Sequence, residues 1–207
     1  HVVELGALIG ASSAAIARGL RDRPAQVTTY DGFDWCYVDP PGLLAHYKDQ
    51  GLGLREVYDR RTAGRPPGTV RSGDILGHRW SGEPIELLYV DLAKTWPIWN
   101  HLAGSFVPAL AVGGVIVQQD WAHSMTPWLH LWQHRWRDHF ETLGHVPHGG
   151  TAAFRLRRPL PPEAFTPTGP SDHTDIDAAF DWAVSFVGPD MRAEVEGARR
   201  LAHDLSA

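Results

Sequence analysis

Cysteine is almost missing from this chain of 207 residues: Cys36 stands alone. An internal disulfide is therefore excluded, and a reducing, cytoplasmic setting is expected. No apolar run approaches the roughly 20 residues of a membrane-spanning helix, and no secretory leader pattern is visible, so no membrane association is expected. Basic excess is missing too. Nineteen Lys and Arg face 24 Asp and Glu, a formal net charge of −5, which disfavours a nucleic-acid-binding surface. No internal repeat occurs, which excludes repeat architectures. The dinucleotide fingerprint G-x-G-x-x-G is absent as well, since the first glycine is followed by Ala7 and Leu8. That spacing argues against an NAD-dependent oxidoreductase. The helical metalloprotease motif is absent because Leu131 follows His130.

What is present is an α/β pattern. Hydrophobic content is 43% and charged content 21%, as in ordinary globular domains. The chain opens on an apolar run, Val2-Val3-Glu4, then a loop with Gly6 and Gly10, then an Ala-rich stretch of helical periodicity. Strand, glycine loop and helix in that order open a nucleotide-binding unit. Glycine there lets a ligand approach the main chain, and the helix N-terminus offers unpaired N–H groups. The acid before the loop, Glu4, suits a cationic part of a ligand. A second strand is expected over 25–30, closing on Asp31 at about the 20-residue distance of a ribose-binding carboxylate. The same Asp31-Gly32 pair also reads as a simple turn.

Further along, residues 38–67 are irregular, with short helices expected over 42–49 and 54–61. They are either a lid over the mouth of the sheet or a helical crossover. A third strand over 69–71 leads to Asp74, and the strongest strand signal, 85–90, ends at Asp91. A helix is expected over 97–110, stopped by Gly113-Gly114, before a buried strand over 115–117 that runs into Gln118-Gln119-Asp120. A second helix is expected over 127–140. Its Trp128, Trp132 and Trp136 share one face at i, i+4, i+8, which marks either internal packing or the contact of a homo-oligomer. Residues 139–146 and 151–156 suit an antiparallel edge hairpin. A Pro-rich crossing over 159–170 and two amphipathic helices finish the chain. The expected fold is α/β, a Rossmann-like doubly wound, mostly parallel sheet with that edge hairpin and C-terminal helices.

The ordered set Glu4-x-Gly6-x-x-x-Gly10-x-Ser12, Tyr30-Asp31-x-Phe33, Gly73-Asp74-Ile75, Val90-Asp91-x-x-Lys94-x-Trp96 and Gln118-Gln119-Asp120 resembles the class I S-adenosylmethionine (SAM) dependent methyltransferases. Within them it is distantly similar to the macrocin O-methyltransferase and cephalosporin-hydroxylase-like group of bacterial sugar and natural-product gene clusters. The resemblance implies a SAM-binding domain over 1–158, with the insertion 38–67 as its lid, followed by the crossing and helices of 159–207. It implies that Gly6, Gly10 and Ser12 line the methionine part of SAM and that Asp31 holds the ribose. Asp74 and Ile75 would neighbour the adenine. Glu4 would support the loop or face the cationic end of the ligand. Metal-dependent relatives bind Mg²⁺ through a carboxylate after the fourth strand and a pair after the fifth. The matching positions here are Asp91 and Gln119-Asp120, which makes Asp91 and Asp120 the candidate Mg²⁺ ligands; one acid is a neutral amide, whose oxygen can still serve as a ligand.

Such relatives also carry helices before the first strand, whereas His1 already adjoins it. Either the protein lacks them or the sequence is trimmed. The activity implied is methyl transfer to a hydroxyl of a small-molecule acceptor, a sugar or natural-product scaffold. Removal of the hydroxyl proton needs a base or a metal. Histidine is the residue type suited to proton transfer near neutral pH, so His123, just beyond Asp120, is the candidate base. Lys94 is a weaker candidate that orients Asp91. The rival expectation is a methyltransferase-fold protein without methyl transfer, serving in binding or in other chemistry on a glycoside.

Overall fold

The computed structural model describes residues 1–34, 44–63 and 68–207. Cys36 and parts of the expected lid, 38–43 and 64–67, lie outside the described residues. Among the described residues the chain is α/β, with seven strands that are parallel apart from two antiparallel pairings at one edge. It forms two compact units, His1–Gly77 and His78–Ala207.

The first unit is built from β1 (Val2–Leu5), α1 (Ala11–Leu20), β2 (Val27–Asp31), α2 (Ala45–Asp49), α3 (Leu54–Thr62) and β3 (Thr69–Ser72). Its strands run parallel in the order β3-β2-β1, with Glu4 opposite Thr29 and Thr29 opposite Val70. All four residues of β1 are buried, including Glu4, as expected of a parallel strand covered on both faces. Leu54, Val57 and Tyr58 of α3 are buried. Leu54 and Tyr58 pack with Ala7 and Phe33, with Leu8, Ile9 and Val70 around them. The apolar face of α3 is thus core and packs on the glycine loop.

The second unit holds β4 (Ile85–Val90), α4 (Trp96–Ser105), β5 (Leu110–Gln118), α5 (Pro127–Arg135), β6 (Phe140–His145), β7 (Ala152–Leu156), α6 (Ile176–Val184) and α7 (Arg192–Ser206). The strand order is β4-β5-β7-β6, with β4 parallel to β5 and β7 antiparallel to both of its neighbours. The helix expected over 97–110 ends sooner, at Ser105. Pro108 has no N–H to continue it and sits in a separate 3-10 turn, Val107–Ala109. Gly113-Gly114 does not stop a helix; it lies inside β5. The register slips there, from Ile85 opposite Leu110 to Leu87 opposite Val115. A Cβ on Gly114 would lie 2.9 Å from the carbonyl oxygens of both Ala111 and Ile85, so the pair makes room for a bulge.

Helix α5 is likewise shorter than the expected 127–140, because Phe140 is taken into β6 opposite Leu156. Its tryptophans face inward. Trp128 and Trp132 are buried, and Trp132 meets Trp99 edge-on at 5.1 Å. A second cluster joins Trp121, Phe154, Trp182 and Phe186, with Trp121 stacked on Phe186 at 4.9 Å. These buried aromatics are core packing between the sheet, α4, α5 and α6. Among the described residues, no helix is long and apolar enough to cross a membrane.

Candidate functional site

In the first unit the expected cofactor residues gather at the C-terminal ends of β1, β2 and β3. Gly6 and Gly10 both take left-handed backbone, at φ 90 and φ 80. Between them the loop is clasped by Asp31. Its Oδ2 accepts from the main-chain N–H of Ala7 at 2.7 Å and of Leu8 at 2.8 Å, while Oδ1 accepts from Phe33 N–H at 2.7 Å. Charge-assisted bonds of this kind are the strong ones. Asp31 therefore sets the shape of the loop, a role the sequence did not suggest. Each carboxylate oxygen has about two lone-pair directions, so Oδ1 keeps capacity for a further donor.

Gly73 N–H donates to the Asp31 carbonyl at 3.1 Å, which ties the end of β3 to the end of β2. Asp74 follows, its Oδ1 accepting from Leu76 N–H at 3.0 Å, with Ile75 buried beside it. Asp31, Asp74 and Ile75 thus share one strand edge. Ser12 lies in the first turn of α1, half-buried, behind the left-handed cap Gly10.

Glu4 is tied to protein neighbours through one of its two carboxylate oxygens. It is fully buried, and its Oε2 accepts from Ser13 Oγ at 2.6 Å and Thr29 Oγ1 at 2.8 Å. The carboxylate pins α1 to β1 and β2. Ser13 and Thr29 were missed from sequence. The available signal was register, since an acid on a buried strand needs donors from its partner strand and the covering helix. The closest neighbour of Gly10 is also protein: a Cβ there would lie 2.7 Å from Thr62 Cγ2 and 3.2 Å from Tyr58 Cδ2.

In the second unit Asp91 follows β4 and Asp120 follows β5, and Gln119 N–H donates to the Val90 carbonyl at 2.9 Å. The two carboxylates meet on one cation. Lys94 Nζ donates to Asp91 Oδ1 at 2.9 Å and to Asp120 Oδ2. Burial pulls the Lys94 pKa down, but the charges and hydrogen bonds of Asp91 and Asp120 outweigh it, and the net shift is upward. The ammonium stays charged. The lysine side chain is 50% exposed, against 31% for Asp91 and 21% for Asp120. Pairs this open to water are worth at most about 1 kcal/mol each, so the bridge fixes where charge sits more than it stabilises the fold.

The lysine is delivered to that place by its neighbours. Trp128 Nε1 donates to the Ala93 carbonyl at 2.9 Å, and Thr95 Oγ1 caps α4 by accepting from Ile98 N–H at 3.4 Å. The turn after β5 is fixed too. Thr126 Oγ1 donates to the Asp120 carbonyl at 2.7 Å, and Glu194 of α7 accepts from Ser124 N–H at 3.0 Å. The Ser124 hydrogen bonds hold the Glu194 carboxyl below its usual range.

His123 stands at the exposed tip of this turn. Its Nδ1 accepts from Met125 N–H at 3.1 Å, and its own N–H donates to the Asp120 carbonyl at 3.1 Å. In neutral imidazole one nitrogen accepts and the other carries the proton. The accepting nitrogen of His123 is thus already used by the main chain.

Mg²⁺ is a hard ion that takes about six oxygen ligands in octahedral geometry. It does not fit. The two carboxylates share an ammonium, the oxygen that Gln119 could add carries no charge, and no cluster of three or more His, Cys, Asp or Glu suited to a metal occurs among the described residues.

No family model matches the sequence, and no curated protein matches it. Solved structures do. The O-methyltransferase NovP superposes with a TM-score of 0.55 at 16% identity, covering 76% of this chain and 72% of NovP. CalS11, a TDP-rhamnose 3'-O-methyltransferase of calicheamicin biosynthesis, superposes with a TM-score of 0.50 at 17% identity, covering 74% of this chain and 70% of its own. The fold is that of these O-methyltransferases. The match agrees with the class I methyltransferase-like fold expected from the order of motifs.

Proposed function

We propose that the chain is a SAM-dependent methyltransferase acting on a hydroxyl of a small metabolite, a sugar or natural-product scaffold. The carrying observation is the left-handed glycine loop braced by Asp31 at the strand ends of the first unit, on a fold shared with NovP and CalS11. SAM would supply an electrophilic methyl group. Gly6, Gly10 and Ser12 would hold its methionine part beside the N–H groups of α1, Asp31 its ribose hydroxyls, and Asp74 with Ile75 its adenine. The hydroxyl class of acceptor is supported by what NovP and CalS11 do, and the CalS11 substrate favours a sugar.

In the transfer the acceptor oxygen forms the new bond to the methyl carbon, the carbon–sulfur bond breaks, and the hydroxyl proton goes to a base. Catalysis of such a displacement is largely positioning. Asp91 and Asp120 are the favoured acceptor-facing groups, and one of them takes the proton. His123 is the second candidate, and its occupied Nδ1 counts against it.

The other reading is a methyltransferase-fold protein that binds but does not transfer. It draws on the engagement of both Asp31 oxygens by the loop and on the amide at Gln119. Titration calorimetry with SAM and with NAD separates the classes. Saturable heat with SAM and none with NAD is expected. Asp31→Ala removes charged hydrogen bonds worth about 1.5 to 3 kcal/mol each, so SAM affinity should fall at least about tenfold. A wild-type chain that binds no SAM overturns the proposal, and one that binds SAM yet methylates no hydroxylated acceptor favours the second reading.

A further inference from the structure

We propose that the Lys94 ammonium is the resident cation of the Asp91–Asp120 pair, occupying the place a divalent ion would need and making the pair a metal-free site. Three observations carry this. First, the two carboxylates come from different strand ends, and both turn onto Nζ of the same lysine. Carboxylates so close together need a shared positive charge, and the protein supplies it from three residues beyond Asp91. Second, the lysine is held in place from both sides. The Ala93 carbonyl is bound by the buried Trp128 indole, and Thr95 begins α4. Third, the remaining position of the triad is Gln119, a neutral side chain. One ammonium against two carboxylates leaves a net charge of −1, whereas a divalent ion added to the occupied pair would sit against a like charge at contact distance. An ammonium is also a compact point charge, suited to filling the space between two carboxylate oxygens.

The inference does not depend on methyl transfer, and its test reads cation binding alone. Mn²⁺ is titrated into the full chain, with free Mn²⁺ followed by electron paramagnetic resonance. The variants are Lys94→Ala, Lys94→Met, Asp120→Asn and Lys94→Ala with Asp120→Asn. Lys94→Met keeps most of the apolar stem and guards against a fold lost through side-chain removal, and circular dichroism checks each protein. The wild type is expected to show no saturable Mn²⁺ site. Both lysine variants are expected to gain one, at least about tenfold tighter than any wild-type binding, because the repelling charge is gone. The double variant should lose it again. Wild-type Mn²⁺ binding that Asp120→Asn abolishes would overturn the proposal, since the pair would then take metal in the presence of Lys94. Equal, weak binding in the wild type and both lysine variants would overturn it too, because Lys94 would not be what keeps metal out.

Discussion

Replacing Gly10 with alanine separates two reasons for a glycine at that position. The residue caps α1 at φ 80 and ψ 22 with no side-chain hydrogen bond. A left-handed conformation costs an L-residue about 1 to 2 kcal/mol. The new Cβ would also lie 2.7 Å from Thr62 Cγ2, and forcing a methyl into a packed contact costs about 1 to 3 kcal/mol. Together the loss is about 2 to 5 kcal/mol from the ~5–15 kcal/mol that folded proteins possess. At roughly 2 to 4 °C per kcal/mol for this size, the melting temperature should fall by about 4 to 20 °C.

The packing share can be returned on its own. Thr62→Ser removes Cγ2 but keeps the hydroxyl that donates to the Tyr58 carbonyl at 2.8 Å. On the Gly10→Ala background it should relieve the clash with Cγ2 and leave the backbone cost. Differential scanning calorimetry of the wild type, the two single variants and the double variant forms a complete cycle. A Gly10→Ala protein melting within about one degree of wild type would refute the reasoning. So would a cycle with no coupling between the two sites. If SAM affinity alone fell while stability held, Gly10 would be there for the ligand and not for α3.

Three further outcomes are expected. Asp120→Asn should lower kcat by roughly 10² to 10⁴ if a carboxylate takes the proton, while His123→Ala stays near wild type; the reverse pattern returns the base role to His123. Asp31→Ala should weaken SAM binding at least about tenfold, and a variant with unchanged affinity would show that neither the clasp on the loop nor a ribose contact of Asp31 matters to binding. His130 lies fully buried between Trp121 at 4.4 Å and Phe180 at 4.9 Å, and its pKa is lowered to about 3 by burial, partly offset by the Thr126 backbone. The unfolded chain binds that proton near pH 6.5 and the folded chain does not, so stability should drop as pH falls from about 6.5 toward 3. The limit is about 1.4 kcal/mol per pH unit. His130→Leu should flatten the slope of the urea midpoint against pH by up to one proton, and an unchanged slope would sink the assignment.

How much of this was legible in the chain depends on the range of the interaction that decides each feature. Local ones were readable. The alternation of apolar runs and helical stretches determined the α/β class, and the glycine loop, Asp31, Asp74, Asp91 and Asp120 mark strand ends because polar residues stop buried strands. The antiparallel hairpin of β6 and β7 followed from two short runs joined by Pro147-His148-Gly149-Gly150.

What only the tertiary structure decided lies between segments far apart in sequence. Gly113-Gly114 has the same local chemistry in a helix stop and in a bulge, and pairing with β4 selected the bulge. Glu4 could have faced a ligand until Ser13 and Thr29 closed on it. Asp31 became the clasp of the loop through amides 23 and 24 residues away. Lys94, three residues from Asp91, read as an orienting group for that acid alone. Only the alignment of β4 with β5 brought Asp120 to the same ammonium. Spacing along the chain reports neighbours within a turn or a strand, whereas the sharing of one charge by two strand ends is set by how the sheet assembles.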